Sequence, residues 1–167
     1  MTAVRKLRLK SRLSALIRRP GGMTAFQAAK KAEAGLDELR PMCLAGLDEA
    51  LAEIYAKFGS KAPDRDNADM AELYMCGLKL IDCAIGLPNS DIDAAARALC
   101  QLADLCEEAG MRDWVAVDVH IGVLRLLRAT GGSMTQEQRD EVIQSLSAVT
   151  RKRLGAGAIP DDLGLET

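Results

Sequence analysis

Few side chains in this chain of 167 residues have types and spacings that suggest chemistry, and most of them fail on inspection. Zinc needs Cys or His ligands at characteristic short spacings. Here there is one histidine, His120, and none of the five cysteines (Cys43, Cys76, Cys83, Cys100, Cys106) stands in C-x-x-C spacing. Cys76 and Cys83 share a helical face, which a packed core explains as well as a metal does. The odd number of cysteines, each inside a helical pattern, points to reduced thiols used as small apolar core residues. Disulfide frameworks belong instead to small, loop-rich secreted chains. Glycine-rich phosphate loops, G-x-S-x-G elbows and paired carboxylates beside a base are all missing as motifs. Asp161-Asp162 falls in a tail where nothing would hold its geometry, and Glu107-Glu108 reads as an exposed pair at a helix end. The sequence therefore predicts no catalytic residue, no metal site and no cofactor, so the chain reads as a non-enzyme.

His120 is the one residue with a specific chemical alternative. Phosphotransfer domains are four-helix bundles that present a helical histidine to the aspartyl phosphate of a response regulator. Around that histidine they carry a small residue, a variable residue and then Leu-Lys-Gly. Here the run is Val119-His120-Ile121-Gly122-Val123-Leu124-Arg125, without lysine at the third position after the histidine or glycine at the fourth. At about 100° per residue, Asp118, Gly122, Arg125 and Ala129 gather on one side of this helix. His120 falls on the other, among Ala116, Val117, Leu124 and Leu127. A core or interface histidine is the simplest reading; a partner-docking role and a divergent phosphoacceptor remain as alternatives.

The elements that position these residues are all helical. Apolar residues make up 49% of the chain, charged residues 28% and aromatics only 3%. A core of Ala, Leu, Ile, Val, Met and Cys suits close helix packing, whereas strands lean on β-branched and aromatic residues. Thr24 and Gln27 form a capping-box signal. From there Ala29, Ala32, Leu36, Leu39, Cys43, Leu47, Leu51, Ile54 and Phe58 keep one helical stripe in phase across Pro41. That predicts one long helix kinked there, with a break into two as the alternative. Further helices are predicted from about Asn67 to Ile85, from Asp91 to Ala109, from Asp113 to Thr130, and from near Thr135 to Arg151-Lys152-Arg153. Ser90 with Asp93 offers a second capping box, and Gly110 suits a helix C′ position. Short connections favour antiparallel neighbours, so the fold class is an all-α, up-down bundle of four to five helices.

Charge is split along the chain. Residues 1–32 carry nine Lys or Arg and no acid, whereas residues 33–167 carry 13 basic and 24 acidic residues. The predicted organisation is a basic N-terminal arm (1–22), a helical bundle domain (23–154) and a flexible acidic C-terminal tail (155–167). Within the arm, Leu9, Leu13, Leu16 and Ile17 recur at helical spacing, with Arg8, Arg12 and Arg19 on the opposite side. This basic amphipathic segment is a candidate docking helix for a protein partner, with a solvated tail as the alternative. Nucleic acid is disfavoured by the acidic body and the scarcity of aromatic stacking platforms. No run approaches the roughly 20 apolar residues needed to span a bilayer, and the N-terminus lacks a signal-peptide core, so the expected location is the cytoplasm.

Two stretches carry a family resemblance. Ser90-Asp91-Ile92-Asp93-Ala94-Ala95-Ala96-Arg97-Ala98-Leu99-Cys100-Gln101-Leu102-Ala103-Asp104 and Trp114-Val115-Ala116-Val117-Asp118-Val119-His120-Ile121-Gly122-Val123-Leu124-Arg125-Leu126-Leu127 resemble small alphaproteobacterial chemotaxis proteins called CheE. Those pair an A-x-x-L-C-x-L-x-D helix with a W-x-A-V-x-V-H-x-x-x-L-R-L-L helix. The likeness covers about forty residues, and it sets His120 inside the shared motif. It implies an accessory component of a chemotaxis or two-component pathway that contacts a kinase or a response regulator. A divergent phosphotransfer protein using His120 and a structural homo-oligomer, such as a homodimer burying leftover apolar faces, are the alternative functions.

Overall fold

A computed structural model describes residues 22–84, 87, 91–130 and 133–154. Among them the architecture is all-α: α1 (Ala25–Phe58), a short 3₁₀ turn (Arg65–Asn67), α2 (Met70–Ala84), α3 (Ile92–Glu108), α4 (Trp114–Thr130) and α5 (Gln136–Leu154). No described helix is long and apolar enough to cross a membrane.

The helix ends follow from local chemistry. Thr24 and Gln27 form the predicted reciprocal box: the Thr24 amide donates to Gln27 Oε1 at 3.0 Å and the Gln27 amide to Thr24 Oγ1 at 3.2 Å. Thr135 and Gln138 repeat the same box at the start of α5, at 3.0 and 3.3 Å. The start of α2 lies later than the apolar pattern suggests. Residues 65–67 close a 3₁₀ turn instead, and Asp69 Oδ1 accepts the Ala71 amide at 3.0 Å. Gly110 terminates α3 with φ +61°, and the amides of Met111 and Gly110 reach back to the carbonyls of Cys106 and Glu107. That pair of bonds is a Schellman motif, which only a residue tolerant of positive φ closes cheaply.

The chain divides into two compact units, Met1–Glu38 and Leu39–Thr167. In the first, the described residues 22–38 are helical from Ala25 and none is buried; Phe26 is 78% exposed and Leu36 47%. The second unit holds the core. There Leu47, Leu51, Ile54 and Phe58 of α1 pack with Leu73 and Leu80 of α2, Leu99 and Leu102 of α3, Val117 and Leu124 of α4, and Leu146 of α5. The helix does not break at Pro41, which lies inside α1. Proline removes one amide donor, and the apolar stripe that keeps phase beyond it supplies the burial that holds the turn together.

Side-chain contacts show that α1 and α2 run antiparallel, as do α4 and α5. Lys57 bonds Glu72 and Glu53 bonds Lys79 between α1 and α2. Gly77 of α2 sits against Cys100 and Ala96 of α3. Asp113 and His120 of α4 meet Arg153 and Thr150 of α5. The predicted all-α bundle of four to five helices is thus present, with five helices among the described residues. The predicted arm, apart from Gly22, and the predicted tail (155–167) lie outside them, as does Ser90 of the second capping box. In place of that box, Asp91 adopts φ 49° and turns its carboxylate to Arg139 of α5, Nε to Oδ2 2.5 Å. Arg139 is itself buried and also donates to the Met134 carbonyl and to Gln136 Oε1, so one guanidinium ties the starts of α3 and α5 together.

Candidate functional site

Helix α4 carries His120, and its packing decides what that ring can do. The residue is 0% exposed. Nδ1 lies 2.8 Å from the Ala116 carbonyl oxygen. A carbonyl only accepts, so the proton sits on Nδ1 and Nε2 keeps its lone pair. Nε2 faces the Thr150 hydroxyl at 3.4 Å, and that hydroxyl also lies 3.2 Å from the Leu146 carbonyl. Burial pushes the imidazole pKa below its ordinary value, and the bond to Ala116 opposes this more weakly. The ring is therefore a neutral spacer between α4 and α5. Neither nitrogen reaches the surface, where an aspartyl phosphate would have to approach. The helical wheel anticipates this placement: Asp118, Gly122, Arg125 and Ala129 face outward or lie at the rim, and His120 does not.

Three of the thiols, Cys76, Cys100 and Cys106, are buried, and Cys43 and Cys83 are half-buried. All five cysteines are free. Burial raises the pKa of Cys76, Cys83 and Cys106, and pushes Cys100 to about 11. A thiol held protonated is a poor nucleophile and a poor metal ligand. Among the described residues no group of three His, Cys, Asp or Glu side chains is placed to hold a metal ion.

What α4 offers to solvent is a pair of grooves, one on each flank of its buried face. The first, about 390 Å³, is lined by Asp48, Leu51, Ala52, Tyr55, Arg125, Arg128 and Ala129. Arg128 grips Asp48 in a fork, Nε to Oδ1 2.7 Å and Nη2 to Oδ2 2.9 Å, so those two charges cancel. The guanidinium carbon of Arg125 sits 4.7 Å from the centre of the Tyr55 ring. That contact fixes its plane without neutralising it, and no carboxylate among the described residues pairs with it. Chemically, this groove can accept one carboxylate or phosphoryl group on an arginine already held in place.

The second groove, about 260 Å³, runs between α4 and α5. It is lined by Val119, Val123, Leu126, Val142, Leu146 and Val149, with Glu141 and Ser145 on its rim. Val119 and Leu126 remain 39% and 46% exposed there.

The start of α4 is built differently. Asp113 Oδ1 caps the helix by accepting the Ala116 amide at 3.1 Å, and the same carboxylate takes a fork from Arg153. Arg153 beside it holds the Asp113 carboxyl below the usual carboxylate range. Arg65 lies over the Trp114 ring at 4.9 Å, donates to the Trp114 carbonyl at 2.8 Å and pairs with Asp118 at 2.7 Å. Arg112 donates to the Asp66 carbonyl at 2.7 Å.

Of the candidate phosphoacceptor and docking residues, only His120 lies in the described part. The candidate docking residues Arg8, Leu9, Arg12, Leu13, Leu16 and Arg19 lie outside it. The grooves themselves are not foreseen by sequence reasoning. Arg125 is placed on the outer face of its helix by periodicity, but its ring partner Tyr55 is seventy residues away and gives no local signal. No family model matches the chain, and no curated protein or solved structure matches it either.

Proposed function

We propose that this chain is a non-catalytic helical interaction protein, a cytoplasmic accessory of a bacterial chemotaxis or two-component pathway that docks a kinase or a response regulator. The observation that carries the non-catalytic, docking part of this reading is the arrangement of α4. Its histidine is sealed against Thr150, while its flanks present an apolar groove and an arginine without a carboxylate. Binding surfaces of this kind recognise a partner's side chains, and they lack the base, nucleophile and oxyanion donors that turnover needs. The pathway part rests on the resemblance of residues 90–104 and 114–127 to the chemotaxis proteins.

The test uses purified histidine kinase and receiver proteins of such a pathway, titrated by calorimetry. One of them is expected to bind saturably. Arg125→Glu is expected to weaken that binding by about ten-fold or more, the value of one charge-assisted bond. Incubation with phosphorylated kinase or receiver is expected to leave no acid-labile phosphate on the chain. Phosphate on the wild-type chain that is lost in His120→Gln would overturn the non-catalytic reading. Absence of binding to every kinase and receiver would overturn the pathway.

A further inference from the structure

We propose that the α4–α5 face is a symmetric interface at which a second copy of this chain docks, with α5 crossing its own copy antiparallel. This surface is separate from the Arg125 groove, and the inference holds whichever pathway the protein serves.

The case begins with the outer strip of α5. Glu141, Ser145, Ala148 and Lys152 are all exposed and follow one another by four, three and four residues. Eleven residues make just over three whole turns, so these four side chains lie in line within a narrow arc, and the line is about 16 Å long. Its two middle members are small, which lets another helix approach closely. Its two ends carry opposite charge. Among the described residues neither Glu141 nor Lys152 has an ion-pair partner.

That pattern is self-complementary under a two-fold axis. With the axis level with the midpoint of Ser145 and Ala148, an antiparallel copy sets Glu141 against Lys152 of the second copy, and Lys152 against Glu141 of the second copy. Ser145 and Ala148 then face each other at the crossing. A parallel copy in register would set like charges together at both ends. The charges therefore select one orientation, as an isologous contact requires. Towards α4, the same strip is bordered by Val142 and Val149 and by the groove that holds Val119, Val123 and Leu126. An α5 helix laid along the strip covers these side chains on both copies at once. The interface then has the usual order of an apolar centre and a charged rim.

Light scattering after gel filtration is expected to give the full chain a mass of about twice 17.9 kDa at micromolar concentration. Leu126→Glu is expected to give the single mass. Because each charge occurs twice in a symmetric contact, Glu141→Lys alone and Lys152→Glu alone are each expected to weaken the dimer about ten-fold. The decisive measurement mixes the two single variants. Both ion pairs are then restored between unlike chains, and a heterodimer of wild-type affinity is expected. The doubly reversed chain is expected to dimerise with itself. Unchanged circular dichroism and melting of each variant separate loss of docking from loss of fold. A wild-type chain of single mass up to about 100 μM, a dimer indifferent to both reversals, or a mixture that fails to pair would each overturn the proposal. None of those results bears on kinase or receiver binding, which is measured with separate proteins.

Discussion

The two ends of α4 use the same device for different ends. Each pairs an arginine with an aromatic ring across the fold: at the start Arg65 comes from the 3₁₀ turn to lie over α4's own Trp114, and near the finish α4's Arg125 lies over Tyr55 of α1. At the start the guanidinium is also spent on a carbonyl and on Asp118, and its side chain is mostly buried. Near the finish the ring contact stands without an acid, and the guanidinium faces an open groove. The contrast is between a guanidinium whose Nη2 is already taken by a carbonyl and a carboxylate and one that no carboxylate among the described residues pairs with; under the proposed docking role, the second is the one left to bind. The aromatic ring orients the fork in both cases; only the second leaves it something to bind.

Removing each arginine breaks the comparison most directly. Arg65→Ala is expected to cost about 2 kcal/mol, from a charged hydrogen bond to a part-buried carbonyl plus the ring contact, with little from the half-exposed Asp118 pair. Urea unfolding measures it, and a loss below about 1 kcal/mol would show that the lock is ornamental.

Acid sharpens the comparison next. The folded pKa of His120 is lowered, so the unfolded chain takes up a proton near pH 6.5 that the folded chain refuses. Stability is expected to decline as pH falls below that value, and His120→Gln is expected to flatten this phase. The folded pKa of Asp113 is also lowered, from an ordinary 3.8, so its contribution is complete above that value and is lost as pH falls through the folded one. Asp113→Asn is expected to remove this second phase and to cost about 1 kcal/mol at neutral pH, because Asn keeps the cap but loses the charged fork from Arg153. Melts at pH 7, 5 and 3 read all three chains.

The smallest effects belong to the open end. Arg128→Ala is expected to cost under about 1 kcal/mol, since its pair with Asp48 is half in water. Arg125→Ala is expected to leave stability within about 0.5 kcal/mol while removing partner affinity. A large stability loss there would make Arg125 a second Arg65.

How much of this is written locally follows from which interactions are local. Helix periodicity, the Thr24–Gln27 box, the Gly110 terminus and the inward side of His120 are all legible, because their causes lie within four residues. The Thr135–Gln138 box carries the same signature and was equally available, though only the helix start near Thr135 is read without it. The apolar stripe of α1 is legible as a stripe, yet Leu36 is exposed and Leu47 buried, since burial needs a partner that periodicity does not name. The later start of α2, at Met70 and not Asn67, follows the 3₁₀ turn at 65–67 and the Asp69 bond to the Ala71 amide, which apolar spacing does not mark. The grooves depend on pairs such as Tyr55 with Arg125 and Asp48 with Arg128, which no spacing announces.

The contact of Gly77 with Cys100 has a consequence for how the molecule can be watched. A methyl group at Gly77 would stand 2.5 Å from the sulfur, so the two helices meet with no room for even one more carbon. A reagent that must add atoms to that sulfur therefore has to wait for α2 and α3 to part. The cysteine is a clock built into the seam: its rate of labelling counts openings of the bundle, without any probe being engineered in.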